Sequence, residues 1–139
     1  MNKTFSIVFA LQLFGAATPA FAQTTPEEIA KLLGSPVKIE DATVFAASYG
    51  MFRDACGTHQ LADIIGGIIR LEFQSLNAPN QEIYKSMVRK QHQGNVAIWN
   101  SLADARARYK FCQGLETSLE SRAVEFERLH PSLFEKKIP

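Results

Sequence analysis

Cys56 and Cys112 are the residues whose chemistry the sequence states most clearly, because the chain contains two cysteines in all. A thiol pair can close a disulfide, bind a metal or supply a nucleophile. Their separation of 56 positions excludes a C-x-x-C redox motif. A reactive thiolate needs an accessible, electropositive setting. Arg53 and Lys110 lie near in sequence, yet both cysteines fall on apolar faces of helical patterns. The expectation is a structural disulfide, Cys56 to Cys112, closing a loop worth about 4 kcal/mol by chain entropy.

The other chemistry-bearing groups converge less. His59 and Asp63 stand four apart at a predicted helix start, but a structural zinc needs four ligands and no H-E-x-x-H or C-x-x-C spacing accompanies them. Non-covalent haem would require Met51 or Met87 opposite His59 or His92, and a methionine on an apolar seam is ordinarily core. No C-x-x-C-H attachment site is present. No metal and no cofactor is therefore assigned. Neither G-x-S-x-G nor a P-loop occurs. Glu116, Glu120, Glu125 and Glu127 interleave with Arg122 and Arg128 as on a solvated helix face. No catalytic residue follows, and an enzyme of unseen mechanism ranks third among the functional readings.

The elements that carry these residues read as helices, since three-and-four apolar spacing recurs and two-residue alternation is scarce. The first is short, capped by Thr25 with Pro26 at its first position and stopped by Gly34. A second, capped by Asp41, aligns Ala42, Phe45, Tyr49, Phe52 and Cys56 on one face and stops at Gly57. Thr58 caps a third whose Leu61, Ile64, Ile65, Ile68, Ile69 and Leu71 leave hardly a polar side, so it should be enclosed. Gly66 and Gly67 inside it suggest close approach of a neighbouring helix. From residue 81 to 113 a seam runs through Tyr84, Val88, Gln91, Asn95, Ile98, Leu102, Ala105, Tyr109 and Cys112, predicting one continuous fourth helix stopped by Gly114. A fifth buries Leu115, Leu119, Ala123, Phe126 and Leu129 before Pro131. The fold class expected is all-α, a small up-down bundle of four to five helices stapled by the one disulfide.

Residues 1–22 read as a cleaved secretory signal: Lys3, an apolar run over 5–17, and Ala20-Phe21-Ala22 before the cut. The run is too short to span a bilayer, so no membrane insertion is expected after cleavage. Residues 23–139 form one domain on this reading. Without Lys3 it holds fourteen basic and fourteen acidic side chains, a balance that argues against nucleic acid as partner. A lightly charged signal of this length looks bacterial, which places the protein in the periplasm, with the extracellular medium as alternative.

Placed on parallel second and fourth helices, the cysteines would join two helix C-terminal ends, with the third helix running back between them. A helix over 81–113 would be about 50 Å long, far longer than its neighbours, and its first half would overhang. Tyr84, Met87, Val88, Gln91 and Asn95 then form the candidate interaction surface, covered by the first helix or by a second copy of the chain. The six basic residues Lys85, Arg89, Lys90, Arg106, Arg108 and Lys110 against the acidic fifth helix imply attraction between neighbouring helices, or a basic strip facing an acidic partner. The leading functional reading is a protein-binding module of the bacterial envelope, of the chaperone, inhibitor, immunity or assembly-factor type. Its partner would be another envelope protein or itself, as a homodimer. The alternative is a binder of a small apolar ligand in a pocket at Gln91, Asn95 and Trp99.

Overall fold

The computed structural model describes residues 25–134. The signal reading over 1–22 lies outside the described residues. Those described form five α-helices, α1 (Pro26–Leu33), α2 (Ile39–Ala55), α3 (Ala62–Gln74), α4 (Ala78–Ser101) and α5 (Ala105–Leu129), and a closing 3-10 turn (Pro131–Leu133). No helix among them is long and apolar enough to cross a membrane. The architecture is an all-α bundle with Cys56 and Cys112 disulfide-bonded, their Cα atoms 5.7 Å apart.

Local signals account for most boundaries. Thr25 and Glu28 form a reciprocal capping box on α1, and Gly34, at φ +79°, closes it with bonds to the Ala30 and Lys31 carbonyls. Asn77 caps α4 through a 3.0 Å bond from the Asn80 amide. α2 begins two residues earlier than its expected Asp41 cap, because Val37 and Ile39 pack against the core and draw the chain inward. The chain also does not enter α3 at Thr58. Instead, Gly57 (φ +113°) turns it, and His59 organises the segment before Ala62.

His59 is 1% exposed. Its Nδ1 accepts from the Leu61 amide at 3.0 Å, and its Nε2 lies 3.1 Å from the Glu116 carbonyl of α5. One tautomer, with the proton on Nε2, satisfies both contacts. The ring also meets the edge of Phe52 at 5.4 Å. The imidazole is thus a peg between the α2–α3 turn and α5, its nitrogens spent on backbone. Asp63 is exposed and takes no part in these bonds.

α3 is central, as its composition requires: residues 65–72 are buried without interruption, Gly66 and Gly67 among them. Ile65, Ile68 and Ile69 join Phe45, Tyr49 and Phe52 of α2, Tyr84 and Val88 of α4, and Leu119 and Ala123 of α5 in one core. Each large apolar side chain enclosed there contributes about 1.5–3 kcal/mol. α1 lays Ile29 and Leu33 against Leu71 of α3, on the outer side of the bundle.

The fourth element departs most from expectation. α4 stops at Ser101, Leu102 takes an extended conformation, and Asp104 caps a new helix by accepting from the Ala107 amide at 2.8 Å. Gly114 does not end a helix; α5 runs straight through it. Cys112 therefore lies in the second turn of a descending helix. The disulfide joins the end of α2 to the upper part of α5, not two helix C-terminal ends. Other contacts agree: His59 meets Glu116 and Glu72 meets Arg122, so α3 and α5 run the same way. Phe45 also lies at Arg122, so α2 runs opposite to α5. The heptad pattern continues across the break because Ser101-Leu102-Ala103-Asp104 contains neither glycine nor proline. Asp104→Ala is expected to lower stability by about 1 kcal/mol by uncapping α5, a loss that urea denaturation followed by fluorescence of the sole tryptophan, Trp99, would register.

Candidate interaction surface

The helix lengths place an overhang, but at the opposite end from the one expected. At 1.5 Å per residue α2 is about 26 Å long, while α4 and α5 are each about 36–38 Å. Tyr84, near the start of α4, packs on Phe73 at the end of α3, with ring centroids 5.7 Å apart. Two turns on, the His92 ring lies 3.6 Å from Asp54 in the last turn of α2. α2 ends at that level. The last turns of α4 and the first of α5 continue past it as a helical hairpin.

Tyr84 and Val88, expected to lack partners inside the domain, are 1% and 5% exposed and belong to the main core. Met87 is half-buried, Gln91 exposed and Asn95 buried. α2 and α3 provide the cover; α1 does not reach this region. His92, and not the Gln91 that the heptad seam predicts, takes the inward position on α4. Of the proposed pocket residues, Asn95 is enclosed, Trp99 half-buried and Gln91 turned to solvent. A cleft of about 320 Å³ lies elsewhere, between α2 and α5, where Asp41, Ser48, Ser118 and Arg122 are among its walls.

Beyond the end of α2 the hairpin builds its own small core. Trp99 continues the buried face of α4 and meets Phe111 of α5 with centroids 5.8 Å apart. The Arg108 guanidinium covers the indole at 4.7 Å. Such an arrangement favours the folded tip by about 0.5–2 kcal/mol. Around this core the surface is apolar and basic. Ile98 of α4 is 49% and Tyr109 of α5 64% exposed, and Arg106 and Lys110 stand in solvent three positions before and one after Tyr109. Asp104 is the single acid between residues 96 and 113, and its carboxylate is engaged in capping α5.

The basic residues of α4 do not find the acidic side chains of α5. Side-chain ion pairs among the described residues include Lys85 with Glu82, Arg128 with Glu125 and Arg122 with Glu72, and the His92 ring lies against the Asp54 carboxylate. None of these ties α4 to α5. α2 instead lies in contact with both, its closest packing being against α4. The expected attraction between neighbouring helices is thus not what disposes the charge.

A second constellation escaped the sequence reading. Glu72 sits in the most enclosed helix, and Arg122 donates to it from α5 at 2.7 Å while lying 4.3 Å from the centre of the Phe45 ring. Burial pushes the Glu72 carboxyl above the ordinary carboxylate range, and the Arg122 bond opposes that rise. Tyr84 is close enough for the same burial and the Glu72 charge to raise its phenol. The signal was Glu72 itself, a carboxylate inside the run Ile68-Ile69-Arg70-Leu71-Glu72-Phe73. Among the described residues no group of three or more histidine, cysteine, aspartate or glutamate side chains gathers as a metal would require. Met51 is core, and His59 is committed to backbone partners. No family model, curated protein or solved structure matches this chain.

Proposed function

We propose that this chain is an exported protein of the bacterial envelope that acts as a protein-binding module, presenting the α4–α5 hairpin tip to its partner. The observation that carries the reading is the overhang: two helices extend past the bundle and expose Ile98 and Tyr109 over a Trp99–Phe111–Arg108 core. The last α4 residue in the main core is Val88 and the last buried residue of α4 is Asn95, so the extension lies beyond the enclosed part of the helix. Tryptophan, tyrosine and arginine are the side chains in which binding energy concentrates at protein interfaces. The disulfide at the base of the tip fits an oxidising compartment, and residues 1–22 supply the export signal.

Expression in a bacterial host with a photo-crosslinking side chain at position 109, and for comparison at position 44, tests both parts. Val44 is similarly exposed but lies on the bundle wall. The expected result is a discrete adduct with an envelope protein from position 109 alone, on a chain of 117 residues whose first residue is Gln23 and which is released by osmotic shock. An uncleaved chain retained in the cytoplasm, or equal adducts from both positions, would sink the proposal.

A further inference from the structure

We infer that the partner offers the tip an acidic segment, an aspartate- or glutamate-rich stretch of protein with apolar side chains among its acids. The inference rests on the reading of the tip as a protein-binding surface. Its own support is electrostatic. Between residues 96 and 113 the cations Arg106, Arg108 and Lys110 face one acid, Asp104. Two of the three, Arg106 and Lys110, are exposed and form none of the ion pairs that the described residues show. The third holds the indole of Trp99, and its Nε is buried without a hydrogen-bond partner.

Acidic side chains are abundant elsewhere on the chain, at Glu116, Glu120 and Glu127 of the same helix, yet rigid helix geometry carries them down the bundle and away from the tip. The charge excess is therefore local, although the whole chain is close to neutral. A local excess of one sign beside exposed aromatic and aliphatic groups selects for the opposite sign in whatever docks, since like charges placed across a desolvated contact oppose it. Two copies meeting tip to tip would oppose like charges and are disfavoured. The exposed phenol of Tyr109 and the sec-butyl side chain of Ile98 supply the apolar contact that an acidic segment of pure carboxylates would leave empty.

The test combines charge reversal with a direct optical probe. The photo-crosslinker at position 109 is placed in the native background and in Arg106→Glu/Lys110→Glu, with Arg106→Ala/Lys110→Ala as a milder second variant. Far-UV circular dichroism and an intact disulfide establish folding in each. Support is an adduct that the native background gives and both charge variants reduce at least tenfold. An adduct of equal yield in all three overturns the acidic partner while leaving the binding reading intact. Absence of any adduct overturns the binding reading and this inference with it, and an adduct of twice the chain mass overturns it in favour of a second copy.

In vitro, a glutamate–leucine helical peptide should shift Trp99 emission saturably, with the midpoint rising at least tenfold between low and physiological salt, while its lysine–leucine counterpart has no effect. Equal responses to both peptides, or a response to phosphatidylglycerol vesicles and to neither peptide, overturn the assignment.

Discussion

Removing the disulfide by Cys56→Ala/Cys112→Ala should lower stability by about 4 kcal/mol, the entropy released to a denatured chain no longer closed across 56 positions. For a domain of this size that corresponds to roughly 15 °C in Tm. Global loss is half of the expected result, and its location is the other half. The bond ties the end of α2 to the second turn of α5, so the segment it immediately restrains is the base of the tip. With the bond gone, the tip is held by Trp99, Phe111 and Arg108 alone. Amide exchange over residues 96–112 should then accelerate more than exchange over residues 65–72, which lie in the closed core. Trp99 emission should move to longer wavelength under conditions where circular dichroism still reports a folded bundle. A loss of less than about 1 kcal/mol would contradict the entropic account, and uniform acceleration of exchange would contradict the tip as a separately restrained unit.

The disulfide and the burial of α3 were legible in the sequence for one reason: both follow from which face of a helix a residue occupies. That property needs only local periodicity. The end of α4 was not legible, because periodicity is indifferent to a reversal that keeps the heptad phase. Ala105, Tyr109 and Cys112 continue the four-and-three steps of Asn95, Ile98 and Leu102, so two antiparallel helices read as one. Asp104 was the available sign, a capping side chain three residues before the Ala107 amide it holds. Gly114 was the false one; its Cβ position is open, and an exposed helical glycine carries a penalty of about 1 kcal/mol that α5 absorbs. That single boundary moved the overhang from the first half of the helix to its end. Helix length still produces an overhang, and Ile98, Trp99 and Tyr109 occupy it in place of Tyr84, Met87 and Val88. The partnership of Glu72 with Arg122 lay beyond a local reading altogether, since 50 positions separate the two.

Arg122→Met is expected to cost about 2–4 kcal/mol at neutral pH, toward the lower end of what breaking a buried ion pair does, because the arginine is partly exposed and the carboxylate is not. Two losses combine in it. Methionine fills much of the space over Phe45 but forfeits the guanidinium's attraction to the ring, about 1 kcal/mol. The larger part is the stranding of an ionised Glu72 with both oxygens unpartnered, one of them already without a hydrogen bond in the native protein.

The two parts separate by pH. A carboxyl whose folded value is raised binds protons more readily folded than unfolded. Its favourable contribution is therefore present below the ordinary value of 4.5 and is lost as pH rises through the folded value. In the native protein Arg122 limits that rise; in the variant nothing does. The deficit of Arg122→Met should accordingly be greatest near pH 7 and narrow steadily toward pH 5, as measured by urea midpoints across the range. Glu72→Gln combined with Arg122→Met should recover part of the loss at pH 7 and remove its pH dependence, because the charge that needs a partner is gone. A deficit that stays constant with pH would assign the whole effect to packing on Phe45 and leave Glu72 without an energetic role in the pair.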